Sequence, residues 1–571
     1  MRHVLAYLKP YWLRVVWELT VKMGGSMIEL VLPAILAHLI DEVAPSKNVP
    51  LTFVWGGVMV VCAVLAWLGN VYANRMAARI SSWVARNIRL DLFRKISYLS
   101  SRKTDEFTIP SLISRLSSDT YNVQQFVGMI QRMGVRAPIL MIGGLIMTVT
   151  LDPVLTLVLV AMMPLLSIVV YLRVKKGFPL FRKLQETQDG MVRKVRENIT
   201  GVRVIKALSK NEFERERFDE VNKSVVKAEL KANIVMMLTG PLLDFFMNIG
   251  LIFIIIVGAW RVSSGATQVG VITAFFSYLT TILNAMMSVS RIFTMYTRAG
   301  ASGDRIAEVL LTEDDLTVTG EPGIDTDAHV VFDHVSFSYN KIRDNVTDVD
   351  FVLKKGQMLG VIGPTGSGKS TLIQLLMRIY DVDKGHIFID GRDVRSIPFE
   401  ELHQMFGVVF QNDALFADTL RENIDLGREL TDEEIAHGAD CAQAKEFIDS
   451  LDGGTGYKLA IRGMNLSGGQ RQRVLIARAL SGHPKILILD DSSSALDYKT
   501  DAKLRHAIEN DYSDVTSVVI AQRVSSIKNA DLILVMDNGK VIGSGTHDEL
   551  METCDSYREI ALMQMGDEVS A

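Results

Sequence analysis

The sequence predicts a membrane α-helical domain with six transmembrane helices, fused to an α/β domain in the same chain. Three observations predict this architecture. Long apolar runs that are almost free of Asp, Glu, Lys and Arg lie in the first half of the chain. An acidic stretch containing Gly and Pro follows Leu311. After it, short β-like runs alternate with helical segments, which is typical of an α/β domain.

The apolar runs predict the number of spans. Charged residues are absent from 48–74 and from 262–290, and Asp152 is the only one in 137–172. Apolar runs of about 18 residues or more are typical of membrane helices. The approximate limits of the six predicted spans are 12–40, 51–74, 123–150, 153–173, 234–260 and 269–292.

The two long connections between spans are rich in Arg and Lys, and they follow the second and the fourth span. Basic loops stay on the cytoplasmic side, so an even number of spans places both termini in the cytoplasm. Helical spacing within these connections predicts that the membrane helices continue into the cytoplasm. No cleavable signal peptide is expected, because the first apolar segment carries Arg14, Glu18 and Lys22.

Composition excludes several classes of protein. A hydrophobic content of 48% argues against disorder, and the apolar runs exclude a purely soluble protein. With 61 Lys and Arg against 65 Asp and Glu, nothing indicates nucleic-acid binding. Cys62, Cys441 and Cys554 lie far apart and form no CxxC pair, so neither a disulfide scaffold nor a thiolate metal site is the first interpretation.

The change in composition sets the expected domain boundaries. We expect a transmembrane domain over 1–311 with long cytoplasmic helical extensions, a linker over 312–327 and a nucleotide-binding domain over 328–571. No internal repeat is found. The predicted strands are Val330–Phe332, Met358–Ile362, His386–Ile389, Gly407–Phe410, Ile486–Leu489, Ser517–Ile520 and Leu532–Met536.

A phosphate-binding motif follows one of these strands. The strand Met358–Ile362 leads into Gly-Pro-Thr-Gly-Ser-Gly-Lys-Ser-Thr, which matches GxxxxGK[ST] in a strand–loop–helix context. Glycines let backbone N–H groups converge on phosphate oxygens, and the helix offers its positive end. Lys369 adds a charge for the β- and γ-phosphates, and the Ser370 hydroxyl is a Mg²⁺ ligand. The predicted ATP-contacting residues are Gly363, Pro364, Thr365, Gly366, Ser367, Gly368, Lys369, Ser370 and Thr371.

Two further segments suit the same chemistry. The apolar strand that ends at Asp490 places a carboxylate where a P-loop domain needs one for Mg²⁺. Leu-Ser-Gly-Gly-Gln at 466–470 opens a helix and offers a second anion site. This second site is redundant within one P-loop domain, which suggests that it serves a nucleotide bound to another domain. Its expected nucleotide contacts are Ser467, Gly468, Gly469 and Gln470.

Together these motifs resemble those of the ATP-binding cassette (ABC) transporters. Six spans followed by one such domain resembles a half-transporter of the ABC exporter class, and the resemblance covers essentially the whole chain. It implies two nucleotide-binding domains that meet head to tail and enclose two ATP molecules. Each ATP then lies between the P-loop of one domain and the LSGGQ of the other. It also implies ATP-driven export by alternating access.

The resemblance assigns roles to further positions. Tyr339 resembles the aromatic residue that stacks on adenine, and Gln411 resembles the glutamine that reaches Mg²⁺. Ser494–Asp497 matches the segment that crosses the dimer interface. The helix junctions near 102–110 and 196–206 are the expected coupling segments that press on the nucleotide-binding domains.

Three positions depart from the family pattern. The general base after the Mg²⁺-side carboxylate is normally Glu, and here it is Asp491, shorter by one C–C bond of about 1.5 Å. Misplacing a catalytic group by about 1 Å can cost about 100-fold in rate. The switch histidine is replaced by Gln522, which cannot carry a titratable charge. The stretch 459–463 lacks the Glu that is usual in the cross-linking loop.

Asp491 and Gln522 together predict a site that binds ATP and hydrolyses it poorly. With LSGGQ intact, the combination resembles one half of a heterodimeric exporter, whose partner holds the competent site. Two alternatives stay open. One is a homodimer in which Asp491 is a slow general base; the other is an ATP-gated membrane regulator. An importer is disfavoured because the membrane domain and the nucleotide-binding domain are fused in one chain.

Charged residues in the spans suggest where a substrate passes. Glu29 and Asp244 either line a polar pathway that favours cationic amphiphiles or lie near the membrane interface. Glu18 and Lys22 are expected to form a structural pair. The expected partners are the bilayer, a second half-transporter and a transported drug, lipid or peptide. The expected location is the plasma membrane of a prokaryote.

Overall fold

The computed structural model describes residues 2–313, 315–411, 413–492 and 495–565. The chain divides into two compact units. The first comprises Met1–Ser97 and Pro110–Thr312, and the second comprises Tyr98–Ile109 and Glu313–Ala571. The short segment at 98–109 therefore groups with the C-terminal part of the chain.

The described residues contain six helices that are long and apolar enough to cross a membrane. The prediction of six transmembrane helices is confirmed, and each helix extends beyond the predicted span. Two short helices, α3 (Ser101–Phe107) and α6 (Val202–Ala207), overlap the expected coupling segments. In chain order the helices are α1 (His3–Val43), α2 (Val49–Ser97), α3 (Ser101–Phe107), α4 (Ile109–Leu151), α5 (Pro153–Thr200), α6 (Val202–Ala207), α7 (Asn211–Ser263) and α8 (Val269–Leu310).

Two carboxylates fix the ends of helices in this unit. Asp152 is 1% exposed and caps α5, because its Oδ1 accepts from the amides of Val154 and Leu155 at 2.9 and 3.1 Å. Its Oδ2 accepts from Arg261 Nε at 3.0 Å. Asp41 accepts from the first amides of α8, at 2.5 Å from Gly270. The buried Asp152 thus meets helix N–H donors and a guanidinium, as burial requires, and the half-buried Asp41 meets helix N–H donors.

The charged residues of the predicted pathway have different surroundings. Glu29 accepts from Arg136 at 2.7 Å. Lys22 Nζ donates to the Asn74 side chain at 2.9 Å, and the expected structural pairing of Glu18 with Lys22 stays a prediction. Neither carboxylate oxygen of the fully buried Glu18 accepts a hydrogen bond from the described residues. Asp244 is exposed on this chain.

The second unit contains two sheets. The first has the order β2-β1-β4-β5 and is antiparallel. The second has the order β10-β9-β3-β8-β7-β6, and all its pairings are parallel except that of β10 with β9. The strands are β1 (Val330–Phe337), β2 (Val346–Leu353), β3 (Met358–Ile362), β4 (Lys384–Ile389), β5 (Arg392–Asp393), β6 (Phe406–Val409), β7 (Ile486–Asp490), β8 (Thr516–Ile520), β9 (Leu532–Asp537) and β10 (Lys540–Gly545).

Helices surround these sheets, and the α/β prediction is confirmed. Apolar side chains of β1, β3, β7 and β8 form one core with α9, while α12 and α14 build a second core against β7. The helices of this unit are α9 (Lys369–Leu376), α10 (Phe399–Gln404), α11 (Leu420–Asp425), α12 (Asp432–Cys441), α13 (Lys445–Ser450), α14 (Gly468–Leu480), α15 (Tyr498–Asp511), α16 (His547–Thr553) and α17 (Asp555–Met565).

The seven predicted strands all form, within a few residues of the expected bounds. Three strands were not predicted. β2 alternates buried apolar and exposed acidic residues on the edge of the antiparallel sheet, so it lacks a continuous apolar run. β5 has two residues, and β10 contains two glycines. The residues of a short or half-polar edge strand do not by themselves predict a strand, because pairing with the neighbouring strand stabilises it.

We expect Asp152→Ala to destabilise the membrane unit more than Asp152→Asn does. Alanine removes both the helix cap and the partner of Arg261, whereas asparagine retains most of the cap. Losing a cap costs about 1 kcal/mol, and removing one partner of a buried ion pair costs about 3 kcal/mol or more. Thermal unfolding of the purified protein in detergent measures the difference. Equal unfolding temperatures for the two variants would contradict a capping role.

Candidate nucleotide-binding site

The P-loop begins where β3 ends, in the middle of the parallel sheet. Four of the five residues of β3 are buried. A Cβ at Gly363 would lie 2.1 Å from the Met536 carbonyl oxygen, and a Cβ at Gly368 would lie 2.7 Å from the Asn345 carbonyl oxygen. Gly368 also has a φ of 101°, which other residues rarely adopt. The glycines are therefore required for the loop to close against β9 and the start of β2.

The P-loop lysine and serine face two different groups. Lys369 Nζ donates to the carbonyl oxygens of Gly363 and Pro364 at 2.9 and 2.8 Å. Burial lowers the pKa of Lys369, and the charges of Asp490 and Asp491 oppose that shift. Ser370 Oγ donates to Asp490 Oδ2 at 2.9 Å. The predicted Mg²⁺-side hydroxyl and carboxylate are thus adjacent.

Asp490 is the last residue of β7 and is only 5% exposed. Burial raises the pKa of its carboxyl group, and the charge of Asp491 adds to the rise; the Ser370 hydrogen bond and Lys369 oppose it. A buried carboxylate with a hydroxyl and an ammonium beside it is suited to a divalent cation, which supplies the missing positive charge.

The two residues that depart from the family pattern contact each other. Gln522 Nε2 donates to Asp491 Oδ2 at 3.0 Å. Burial raises the pKa of Asp491; a hydrogen bond from Gln411 and the charges of Arg523 and Lys369 oppose the rise. The carboxylate that would activate water is therefore engaged by amide donors.

Apart from Arg523, these groups line one cavity of about 670 Å³. The volume suits a nucleotide-sized ligand. The lining includes most of the predicted P-loop residues together with Gln411, Asp490, Asp491 and Gln522. The structure thus brings together the residues predicted for phosphate, metal and water.

Tyr339 lies beside this cavity. Its hydroxyl donates to Gln374 Oε1 at 2.5 Å and lies 3.2 Å from Thr371 Oγ1, and both residues belong to α9. Its ring packs edge-on against Tyr380 at 5.1 Å between centroids and is 41% exposed. An exposed ring face next to the P-loop helix is compatible with stacking on a base, and the adenine contact stays a prediction.

The LSGGQ segment forms a helix start elsewhere on the domain. Ser467 caps α14 in a capping box: its Oγ accepts from the Gln470 amide at 3.3 Å, and Gln470 Oε1 accepts from the Ser467 amide at 2.9 Å. Ser467 and Gly468 are exposed. No described residue that lines the 670 Å³ cavity comes from 466–470. The chain's own LSGGQ and P-loop therefore do not share a cavity.

The expected interface-crossing segment 494–497 is only partly described. Ser494 lies outside the described residues. Asp497 caps α15 by accepting from the Thr500 amide at 2.9 Å.

The first expected coupling segment, near 102–110, contacts the α/β domain. Within the second unit, Tyr380 Oη donates to Asp105 Oδ2 of α3 at 2.8 Å. Tyr380 also packs on Tyr339, which contacts α9, so two tyrosines link α3 to the P-loop helix. In the first unit, α6 and the residue after it expose apolar side chains: Val204 is 61% and Leu208 64% exposed.

One site residue was missed by the sequence analysis. Gln564 of α17 accepts from the Val524 amide and donates to the Gln522 carbonyl oxygen, both at 2.8 Å. It also lines the cavity. Gln564 follows Gln522 by 42 residues, and no local motif marks it. Only the fold shows that the C-terminal helix holds the segment carrying Gln522.

Family models match both parts of the chain. The ABC transporter transmembrane region model matches residues 19–286, and the ABC transporter model matches residues 346–494. The second match spans the P-loop, LSGGQ and Asp490.

Known proteins match over almost the full length. The "Uncharacterized ABC transporter ATP-binding protein YfiB" of Bacillus subtilis is 36% identical, with all of both chains covered. The "Multidrug efflux ATP-binding/permease protein" of Mycobacterium bovis is 29% identical over 94% of this chain and 45% of its own length. A solved structure of a bacterial Atm1-family ABC exporter with ATP bound has a TM-score of 0.81 at 23% identity, with 99% of each chain covered.

We expect Gln564→Ala to loosen the segment that carries Gln522. Two hydrogen bonds are lost, each worth about 1 kcal/mol, so amide exchange at Val524 should accelerate about 10-fold or more. Hydrogen–deuterium exchange of the peptide covering 521–527 measures this. Met563→Ala is the matched control, since Met563 is a neighbouring, 76% exposed residue of the same helix. Equal protection in both variants would refute the positioning role.

Proposed function

This chain belongs to the ABC transporters as a half-transporter of the exporter class, and we propose that it forms a heterodimer with a different half-transporter. It is a multi-pass membrane protein and an ATP-hydrolysing translocase. In that heterodimer its own P-loop site binds ATP and hydrolyses it poorly. Its LSGGQ completes the catalytic site of the partner.

The observation that carries the proposal is the separation of LSGGQ from the chain's own cavity. Ser467 and Gly468 present the start of α14 to solvent, while the P-loop cavity is lined by other segments. A helix start with free N–H groups binds phosphate. A second nucleotide-binding domain is therefore needed to complete both sites. The M. bovis relative, of which this chain matches 45%, is about twice as long, as expected for two halves in one chain.

The choice of a different partner rests on Asp491 and Gln522. A general base must accept a hydrogen bond from water and have a pKa near the operating pH. Here the shorter Asp491 side chain already accepts from Gln522 at 3.0 Å. The Gln522 amide also supplies no charge to a γ-phosphate. Two such changes in one site favour a partner that keeps both Glu and His.

Magnesium fits the residues of this site. Ser370, Gln411 and Asp490 supply a hydroxyl, an amide oxygen and a carboxylate, the oxygen ligands that Mg²⁺ prefers. The hydroxyl and the carboxylate are 2.9 Å apart. When bound, the ion neutralises charge on the phosphates. Lys369 and the P-loop amides hold the phosphates, and Tyr339 stacks on the adenine.

We propose a small or amphipathic substrate: a drug, a lipid or a peptide. The printed name of the M. bovis relative, multidrug efflux, supports this class. Glu29 and Arg136 line a cavity of about 120 Å³ in the membrane unit, together with Asn284 and Ser288. Exposed Asp244 is a second candidate for the pathway. We place the protein in the plasma membrane of a prokaryote with both termini in the cytoplasm, as the basic connections favour.

The alternative is a homodimer in which Asp491 is a slow but sufficient base. It is retained because Asp491 still brings a carboxylate into the cavity. The two proposals differ in what a single substitution does to turnover.

We expect Asp491→Asn to leave most ATP turnover of the complex intact, because hydrolysis takes place at the partner's site. Gly468→Asp should lower turnover about 100-fold, because its carboxylate faces the phosphates of that site. Gly468→Asp should fold, since a Cβ at Gly468 meets nothing within 4 Å. Phosphate release by the purified complex in nanodiscs measures both.

Asp491→Glu combined with Gln522→His provides the converse test. The double variant should hydrolyse ATP in both sites and raise turnover per complex. If Asp491→Asn abolishes turnover as completely as Gly468→Asp does, the homodimer is correct.

A further inference from the structure

A cluster of metal-ligating side chains lies outside the nucleotide site. His437 and Cys441 are four residues apart on α12, so both point to one face of the helix, a turn apart. Asp511, the last residue of α15, meets them from 70 positions further along the chain. One donor atom from each residue lies within 4.8 Å of the other two.

The distances between the three donor atoms approach the distances between the ligands of one metal ion. The Cys441 sulfur lies 3.8 and 3.9 Å from the two ring nitrogens of His437 and 3.2 Å from Asp511 Oδ2. A tetrahedral zinc ion, with a metal–sulfur bond of about 2.3 Å and a metal–nitrogen bond of about 2.0 Å, separates those ligands by roughly 3.5 Å. Small side-chain rotations therefore suffice to place one ion between all three.

We propose that His437, Cys441 and Asp511 bind one divalent cation of the zinc type. A thiolate, an imidazole and a carboxylate form a donor set that zinc accepts and that magnesium and calcium do not favour. The Cys441 thiol donates to Asp511 without the ion. On binding, the ion takes the place of that thiol proton, which leaves to solvent. The proposal revises the interpretation drawn from cysteine spacing alone, since the ligands come from two distant helices.

The fourth position is open to water or to His483. The His483 ring lies 6.4 Å from the His437 ring and nearly parallel to it, at 19°. His483 follows α14, the helix that begins at LSGGQ. An ion at this site would join α12 to the end of α15, and to the end of α14 if His483 binds.

Cobalt substitution is the direct test. The tag-free, full-length protein in detergent is stripped with a chelator and titrated with Co²⁺, and the thiolate-to-cobalt charge-transfer band is followed in the near ultraviolet. We expect the band to saturate at one Co²⁺ per chain and to be displaced by Zn²⁺. Cys441→Ser should abolish it, since serine retains the hydrogen bond to Asp511 and loses the thiolate. Cys554→Ser, a change at another buried cysteine of the same domain, should leave it unchanged.

Two further variants complete the test. His437→Ala should weaken Zn²⁺ binding at least 10-fold, and it should fold because His437 is exposed. His483→Ala distinguishes a protein ligand from water in the fourth position: weaker binding assigns His483, and unchanged binding assigns water, with the three-residue site retained in both cases. No charge-transfer band in the wild type, or a band that persists in Cys441→Ser, would overturn the site. Neither result depends on ATP turnover, so the metal-site proposal and the transport proposal are tested independently.

Discussion

The parallel pairing of β3, β8 and β7 is the constraint on which the nucleotide site depends. Carboxyl ends of neighbouring parallel strands lie at one edge of a sheet, and ligands bind there. The P-loop leaves β3, Asp491 follows β7 and Gln522 follows β8 by two residues. Register in the sheet therefore places Lys369, Asp490, Asp491 and Gln522 around one cavity, although they span more than 150 positions of the sequence.

This arrangement leaves the site one-sided. The P-loop, Asp490 and Asp491 lie at one edge of the sheet, while the exposed start of α14 lies outside their cavity. Because the P-loop and LSGGQ do not share a cavity, an ATP molecule that contacts both must join two nucleotide-binding domains. In this chain the P-loop and LSGGQ match the family pattern; two of the three departures, Asp491 and Gln522, line the cavity, and the third lies in 459–463. In the proposed heterodimer, this site retains ATP binding while its hydrolysis is reduced, and the partner's site carries out hydrolysis.

Sequence patterns predicted what local physics determines. Charge-free runs gave the spans because a bilayer tolerates few charges, and the P-loop was found because close backbone approach requires glycine at positions such as Gly363 and Gly368. Contacts between distant segments could not be predicted in this way. The pairing of Lys22 with Asn74, the support of Gln522 by Gln564, and the cluster around Cys441 all join residues 42 to 70 positions apart. β2 was not predicted for the same reason, because an edge strand with acidic residues on one face is stabilised by its pairing with the neighbouring strand.

The mass of the native complex tests the central claim most directly. The tagged chain would be extracted from its own host membrane and its intact and denatured masses determined. A complex of the 63.5 kDa chain with a different half-transporter of similar mass is the predicted result. Twice 63.5 kDa, with a single subunit species on denaturation, would contradict the account and make Asp491 the working base of a homodimer.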